Sequence, residues 1–453
     1  MSAEDQAPSE KLPSWDLFFF AFLALQGFTI FAFWLATDFA DTTVGNTGGP
    51  NSTDDYFSYY NHIALMVFVG FAFLYTFLRK YAYSAMGYTF LAVIVAFEWT
   101  ILVNVFFDGA DRDDYFRTDL TIWQLIEGLY GSLAVLISFG AFLGRVSPLV
   151  LIFVAWIEPL FFGIVRYLVL LQLNCVDIAG TMHVHIFGAY FGLAVSYFMS
   201  MPFLGKGVTD VATFARDRLP SYTSNITAFL GTLLIFVAFP SFNAVHSDDD
   251  SQFRVIINTV LALTTSGAFA FITSRTLRGG KFFMADVQNG VLAGGIIVGS
   301  ATTVVVSPGG AMVVGAVGGI ATVVANAYLT PVLERKGIVD VAGVHNLHGI
   351  PGLLGALGGI ASSAIVGDDD LIYGQPTTNV LPEGEDQPGY QTAGLFISLG
   401  IGLGGGFIVG LFVFFINRVV EKLRSSLVLK TFFSDEAGWF VPTDFERTEG
   451  EAV

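Results

Sequence analysis

The sequence predicts an all-α polytopic membrane protein with about twelve transmembrane helices, and three observations carry that prediction. The chain is 54% hydrophobic and only 13% charged, against about 25% charged in an average soluble domain. Apolar runs of about 20 residues, the length that crosses a bilayer core, recur over nearly all of its 453 residues. Lysine and arginine then collect in every second connection between those runs, the asymmetry that marks the cytoplasmic side of a membrane.

Taken in order, a polar leader at 1–14 precedes the first run, 15–37, which is long enough to span and reads as a retained helix rather than a cleaved signal. The second, 62–79, ends on Arg79 and Lys80, and the third, 84–107, ends at the acidic stretch DRDDYFRTD. Runs at 120–143 and 147–170 flank Arg145, and 180–203 leads to Lys206, Arg216 and Arg218. The seventh, 222–240, meets HSDDDSQ, and the eighth, 254–274, meets Arg275, Arg278 and Lys281. Runs at 284–306 and 309–328 precede Arg335 and Lys336. The last two, 343–366 and 391–417, enclose GDDD and EGED before a basic tail. With the N-terminus inside, 17 of the 21 basic residues fall on the inner side. An even number of spans with both termini cytoplasmic follows, because adding or removing one helix scrambles the pattern. The chain divides into a leader at 1–14, one membrane-spanning domain at 15–421 and a cytoplasmic tail at 422–453.

Fifty glycines suit close helix packing in lipid. The net charge of −17, with acids in loops and no basic stripe, points away from nucleic acid. A single cysteine, Cys175, excludes an internal disulfide. The acidic outer loops read either as solvated connections or as a surface that gathers cations. The sequon Asn51-Ser52-Thr53 lies in the first outer loop, where glycosylation is possible; a second, at Asn225, starts a span near the inner face.

Two stretches share one pattern. DIAGTMHVH places His185 eight residues after Asp177, and DVAGVHNLH places His348 eight residues after Asp340. Asp177 stands at the outer face and Asp340 at the inner face, so the two motifs enter the membrane from opposite sides, as in an inverted-topology repeat. Eight helical residues rise about 12 Å, close to half a hydrocarbon core. His185 and His348 therefore reach similar depth near the midplane. A lone histidine in an apolar helix is more often a packing residue, but two at matched depth point to function, because polar groups in lipid are costly. His183 lies about 200° around the helix from His185 and does not share its face, whereas His345 is three positions from His348. H-x-H and H-x-x-H also suit zinc, but no cysteine or glutamate completes such a site. Asp177 and Asp340 sit where a helix-capping carboxylate belongs.

These residues resemble the Rhesus (Rh) glycoprotein branch of the ammonium transporter (Amt/Rh) superfamily. The likeness rests on DIAGTMHVHIFGAYFGL, PSFN at 240–243, DSQFRVIINT, DVQNGVLAGG, GVHNLHGIPG and FSDEAGWFVP in the tail. The resemblance implies a homotrimer with one hydrophobic, ammonia-conducting pore per subunit. It also implies paired pore histidines, matching His185 and His348, beneath an aromatic gate matching Phe242 and Tyr130. Tyr130 departs from the family's usual phenylalanine, and Arg166 stands where an outer-vestibule glutamate is expected. Arg166, the one basic residue within a span and away from its terminal residue, lies at a depth comparable to Glu127. Pairing between them leaves the vestibule less attractive to cations, while a snorkelling Arg166 would touch no solute.

The function expected is facilitated diffusion of ammonia, with ammonium deprotonated at the vestibule and no enzyme activity, cofactor or metal. A buried ion costs several kcal/mol or more, whereas neutral imidazoles can both donate to and accept from ammonia. Methylammonium is a possible further substrate. A carbon dioxide or mixed gas channel and a non-conducting scaffold or sensor remain alternatives. The expected location is the plasma membrane, with lipid around the helices.

Overall fold

The computed structural model describes residues 17–39, 53–111, 117–204, 218–247, 249–304, 307–366, 371–372, 375–423 and 433–442. Among them, eleven helices are long and apolar enough to cross a membrane. In chain order they are α1 (Leu17–Ala36), α2 (Tyr56–Phe77), α3 (Ala82–Gly109), α4 (Ile122–Phe142), α5 (Pro148–Gln172), α6 (Thr181–Ser200), α7 (Tyr222–Ala244) and α8 (Ser251–Leu277). After a shorter helix, α9 (Met284–Val298), come α10 (Pro308–Arg335), α11 (His345–Val366) and α12 (Gly384–Ile416). The sequence places a span at 284–306, but α9 gives way to a tight turn at Gly299–Ala301, and Ser307 opens the next helix.

Local chemistry sets the helix starts. Thr121 and Gln124 form a reciprocal cap at the start of α4, and Ser147 followed by Pro148 starts α5. Ser221 and Ser307 accept backbone N–H groups in the same way before α7 and α10. Helix leads into α2 from Thr53, well before the predicted boundary at 62. That polar turn is held by packing: Tyr56 meets the Trp123 ring edge-on at 5.8 Å, and His62 Nδ1 lies 2.9 Å from Ser241 Oγ.

The interior forms around α4 and α6, which are buried almost all round. Their backbones touch: a Cβ added at Gly188 would lie 2.7 Å from the Ala134 carbonyl oxygen. Such close approach between membrane helices depends on small residues. α12 packs along α6, and α8, α9 and α10 pack against one another. Two short parallel strands, β1 (Thr37–Phe39) and β2 (Thr118–Leu120), tie the end of α1 to the start of α4. Large apolar side chains such as Val237, Phe253 and Ile365 remain exposed on the periphery.

Part of the chain beyond α12 folds back on the bundle. Phe433 N–H donates to the Gly144 carbonyl at 3.0 Å, and Asp435 N–H to the Lys80 carbonyl at 2.8 Å. The Asp435 carboxylate accepts from Tyr83 N–H at 2.9 Å and Ser84 N–H at 2.8 Å, capping α3. Trp439 Nε1 donates to Ser84 Oγ at 3.0 Å.

Candidate functional site

Both D-x-x-G motifs fold alike. Gly180 and Gly343 have φ of 66° and 74°, a left-handed turn that glycine adopts without steric cost. Each turn delivers the aspartate to the start of the following helix. Asp177 Oδ2 accepts from Met182 N–H at 2.9 Å and His183 N–H at 3.0 Å; Asp340 accepts from Val344 N–H at 2.9 Å and His345 N–H at 2.8 Å. Each helix then opens with a widened turn, Thr181–Ile186 in one and His345–Gly349 in the other. Such turns use i→i+5 bonds and often occur at functional sites.

The two carboxylates differ in their remaining partners. Asp177 also lies 2.8 Å from His183 Nδ1 and accepts from Ser300 Oγ at 2.8 Å. Burial pushes the Asp177 carboxyl upward, but the hydrogen bond and charge of His183 outweigh it and hold the group below its ordinary value. At Asp340 burial wins over the bonds from His345 and Val344, and the carboxyl is raised.

The widened turns bring His185 and His348 together. Their Nδ1 atoms are 3.1 Å apart and their rings stack at 5.2 Å, with both residues buried. At that distance one Nδ1 carries the hydrogen and the other offers its lone pair. Two Nδ1–H groups cannot face each other there, so the geometry excludes a pair in which both rings are imidazolium. His185 Nε2 is buried and has no hydrogen-bond partner among the described residues. His183 turns away toward Asp177. His345 packs edge-on against Tyr190 at 5.6 Å.

Tyr130 and Phe242 lie on the Asp177 side of the histidine pair. Their rings stack at 4.3 Å, and Phe242 lies 6.0 Å from the His185 ring. Phe242 is fixed by its neighbours: Asn243 Nδ2 donates to Gly295 O at 2.9 Å and to Thr259 Oγ1 at 3.1 Å. The Tyr130 hydroxyl donates to the Phe242 carbonyl at 2.5 Å. That carbonyl belongs to the last turn of α7, where helix carbonyls lack internal donors. The hydroxyl therefore ties the two rings into one unit.

One turn further from the histidine pair stands an ionic cluster. Arg166 Nε lies 2.6 Å from Glu127 Oε2, and Arg166 Nη1 lies 2.6 Å from Asp108 Oδ1. Glu127 Oε1 is 2.5 Å from His246 Nε2. The His246 ring meets Tyr130 edge-on at 4.3 Å and Trp123 at 4.9 Å. Neither His246 nor Asp108 belongs to a functional motif that stands out in the sequence. The available signal was spacing: His246 is four residues after Phe242 and Glu127 three before Tyr130, so each shares a helix face with one ring of the stacked pair. Asn51 lies outside the described residues.

Comparison with known proteins gives a consistent picture. Residues 21–426 match the sequence profile of the Ammonium Transporter Family. Rhesus-like glycoprotein B of Dictyostelium discoideum is 35% identical over 414 residues, covering 88% of this chain and 67% of that protein. The ammonium transporter Rh type B of Oryzias latipes is 36% identical over 411 residues, covering 88% and 85%. Among solved structures, Nitrosomonas europaea Rh50, of the Rhesus protein family of channels, superposes with a TM-score of 0.69 at 28% identity, over 87% of this chain and 94% of that one. Saccharomyces cerevisiae Mep2 shares the fold, with a TM-score of 0.60 at 17% identity over 85% and 91%.

Proposed function

This chain belongs to the Ammonium Transporter Family, with Rhesus-type relatives, and from that premise we propose that it is a passive ammonia channel. The observation that carries the reading is the buried His185–His348 pair at 3.1 Å, lying beneath the stacked Tyr130–Phe242 rings. In this reading Asp177 faces the outside and Asp340 the cytoplasm, and the two motifs are halves of an inverted repeat. Ammonium gives up its proton at the outer mouth, passes the aromatic pair as ammonia, and meets the imidazoles. The unpartnered His185 Nε2 offers it a hydrogen bond. Asp177 and Asp340 act by capping and shaping the two helices, without touching solute. We further infer a homotrimer in the plasma membrane, with one pore in each subunit and both termini cytoplasmic.

The chemistry supports a neutral passenger. Moving an ion into this apolar interior without a counter-charge costs several kcal/mol or more, while ammonia needs only a donor and an acceptor. Neutral paired imidazoles supply both.

Stopped-flow pH changes in proteoliposomes, driven first by an ammonium gradient and then by a carbon dioxide gradient, test the proposal. Ammonia flux above that of empty liposomes is expected. A carbon dioxide response alone would select the gas-channel reading, and neither response would leave a scaffold or sensor. A hydrogen bond is worth about 1 to 1.5 kcal/mol, and tenfold in rate is about 1.4 kcal/mol. His185→Ala and His348→Ala are therefore each expected to lower flux by about fivefold to tenfold in protein that remains monodisperse.

A further inference from the structure

We propose that His246 is the proton-accepting residue of the outer mouth, its Nδ1 taking the proton that ammonium loses, with Glu127 as its positioning residue. The inference rests on the channel reading and assigns one step of it to a named atom. His246 Nε2 lies 2.5 Å from Glu127 Oε1. Glu127 is committed to Arg166 through its other oxygen, at 2.6 Å. A carboxylate so paired accepts hydrogen bonds, so the imidazole hydrogen belongs on Nε2 and the lone pair on Nδ1. That Nδ1 has no partner among the described residues. A base held in one tautomer by an ionised carboxylate, with its other nitrogen unengaged, is the arrangement that general-base chemistry needs.

Position and charge agree with the assignment. The His246 ring lies against Tyr130 at 4.3 Å, and Tyr130 against Phe242 at 4.3 Å. Phe242 is 6.0 Å from His185, and His185 is 5.2 Å from His348. His246 therefore heads the column of rings through which ammonia would travel. The groups facing it are Glu127 and Tyr130 of α4, with Arg166 of α5 reached through Glu127 and Asp108 of α3 through Arg166. His62 is held at Ser241 at 2.9 Å, and His183 lies beyond Tyr130 with Asp177. Two carboxylates and one guanidinium leave the cluster with one net negative charge while His246 is neutral, and with none once it is protonated. Arg166 thus fixes Glu127 without making the mouth repel cations.

The step balances. One N–H bond of ammonium breaks and an Nδ1–H bond forms, giving ammonia and an imidazolium paired with Glu127. The ammonia moves inward. Nδ1 itself is buried, and the imidazolium returns its proton to a water that enters from the outer mouth; the side chain as a whole is 15% exposed.

The test is flux in proteoliposomes holding the full chain, with total ammonium fixed and outer pH varied, for wild type, His246→Gln and His246→Phe. Free ammonia falls with pH at fixed total ammonium, so a wild type that strips the proton at its mouth draws on ammonium where free ammonia is scarce. The ratio of wild-type to variant flux should rise by about tenfold or more between about pH 8.5 and pH 6.5, which asks for less than the roughly 10²–10⁴-fold that a positioned base contributes. A ratio independent of pH would mean that His246 only supports the fold. Wild-type flux that follows free ammonia at every pH would overturn the assignment and leave the channel standing, even if neither variant folds. A wild type without ammonia flux would remove the channel reading and this step with it.

Discussion

Asp177 and Asp340 occupy equivalent places, yet their surroundings differ. Four donors converge on Asp177: two backbone N–H groups, the His183 ring and the Ser300 hydroxyl. With its folded value lowered, its contribution to stability is present above the unfolded carboxylate value and is lost as the pH falls through the folded one. Asp340 has the opposite sign: its folded value is raised, so its contribution is present at low pH and disappears as the pH rises through that value. Asp177→Asn is therefore expected to cost about 1.5 to 3 kcal/mol near neutral pH, since the lost bonds involve a charged acceptor. Asp340→Asn should cost less. Thermal unfolding in detergent would check both, and the Asp177→Asn deficit should shrink on acidification. His185 and His348 were legible in the sequence because one spacing occurs twice. His246 was not, because it sits in an acidic loop motif and acquires its meaning only from α4 and α5.

At the scale of elements, apolar length revealed the helices, and their ends were the weaker part. α9 stops earlier than its apolar run because a tight turn at Gly299–Ala301 places Ser300 against Asp177. The start of helix at Thr53 was hidden by polar residues that tertiary contacts support. The tail motif FSDEAGWFVP was visible as a motif, but its docking surface on α3 and the α4–α5 connection was not. Asp435 caps α3 through two backbone N–H groups, a role worth about 1 to 2 kcal/mol. Asp435→Ala should lower stability by that amount and expose the tail. Limited proteolysis of the purified protein should then cut it faster than in wild type; equal cleavage rates would show that Trp439 and Phe433 hold the segment by themselves.

For the whole molecule, the sequence conveyed membrane residence, span number and resemblance together, because all three depend on patterns that run the length of the chain. It conveyed convergence only for residues of matched depth, His185 with His348 and Arg166 with Glu127, and not for the cluster as a whole. Asp108, Glu127, Arg166 and His246 come from three helices and the turn after a fourth, and meet above a ring pair that itself joins α4 to α7. The Arg166 substitution, read alone, weakens the mouth as a cation site. Read with its two carboxylates and an imidazole, it becomes the brace of the acid–base group proposed above.

The Nδ1–Nδ1 contact also gives the histidine pair a polarity. One ring donates through Nδ1 and has a bare Nε2; the other accepts at Nδ1 and carries hydrogen on Nε2. A proton handed along the pair would reverse that order, and a second could not follow until both tautomers were reset. As a wire, the pair conducts one charge and then stalls. Membranes holding this protein are therefore expected to carry negligible current under a proton gradient in the absence of ammonium. A steady proton current recorded under those conditions would mean that protons travel by a route other than these two rings.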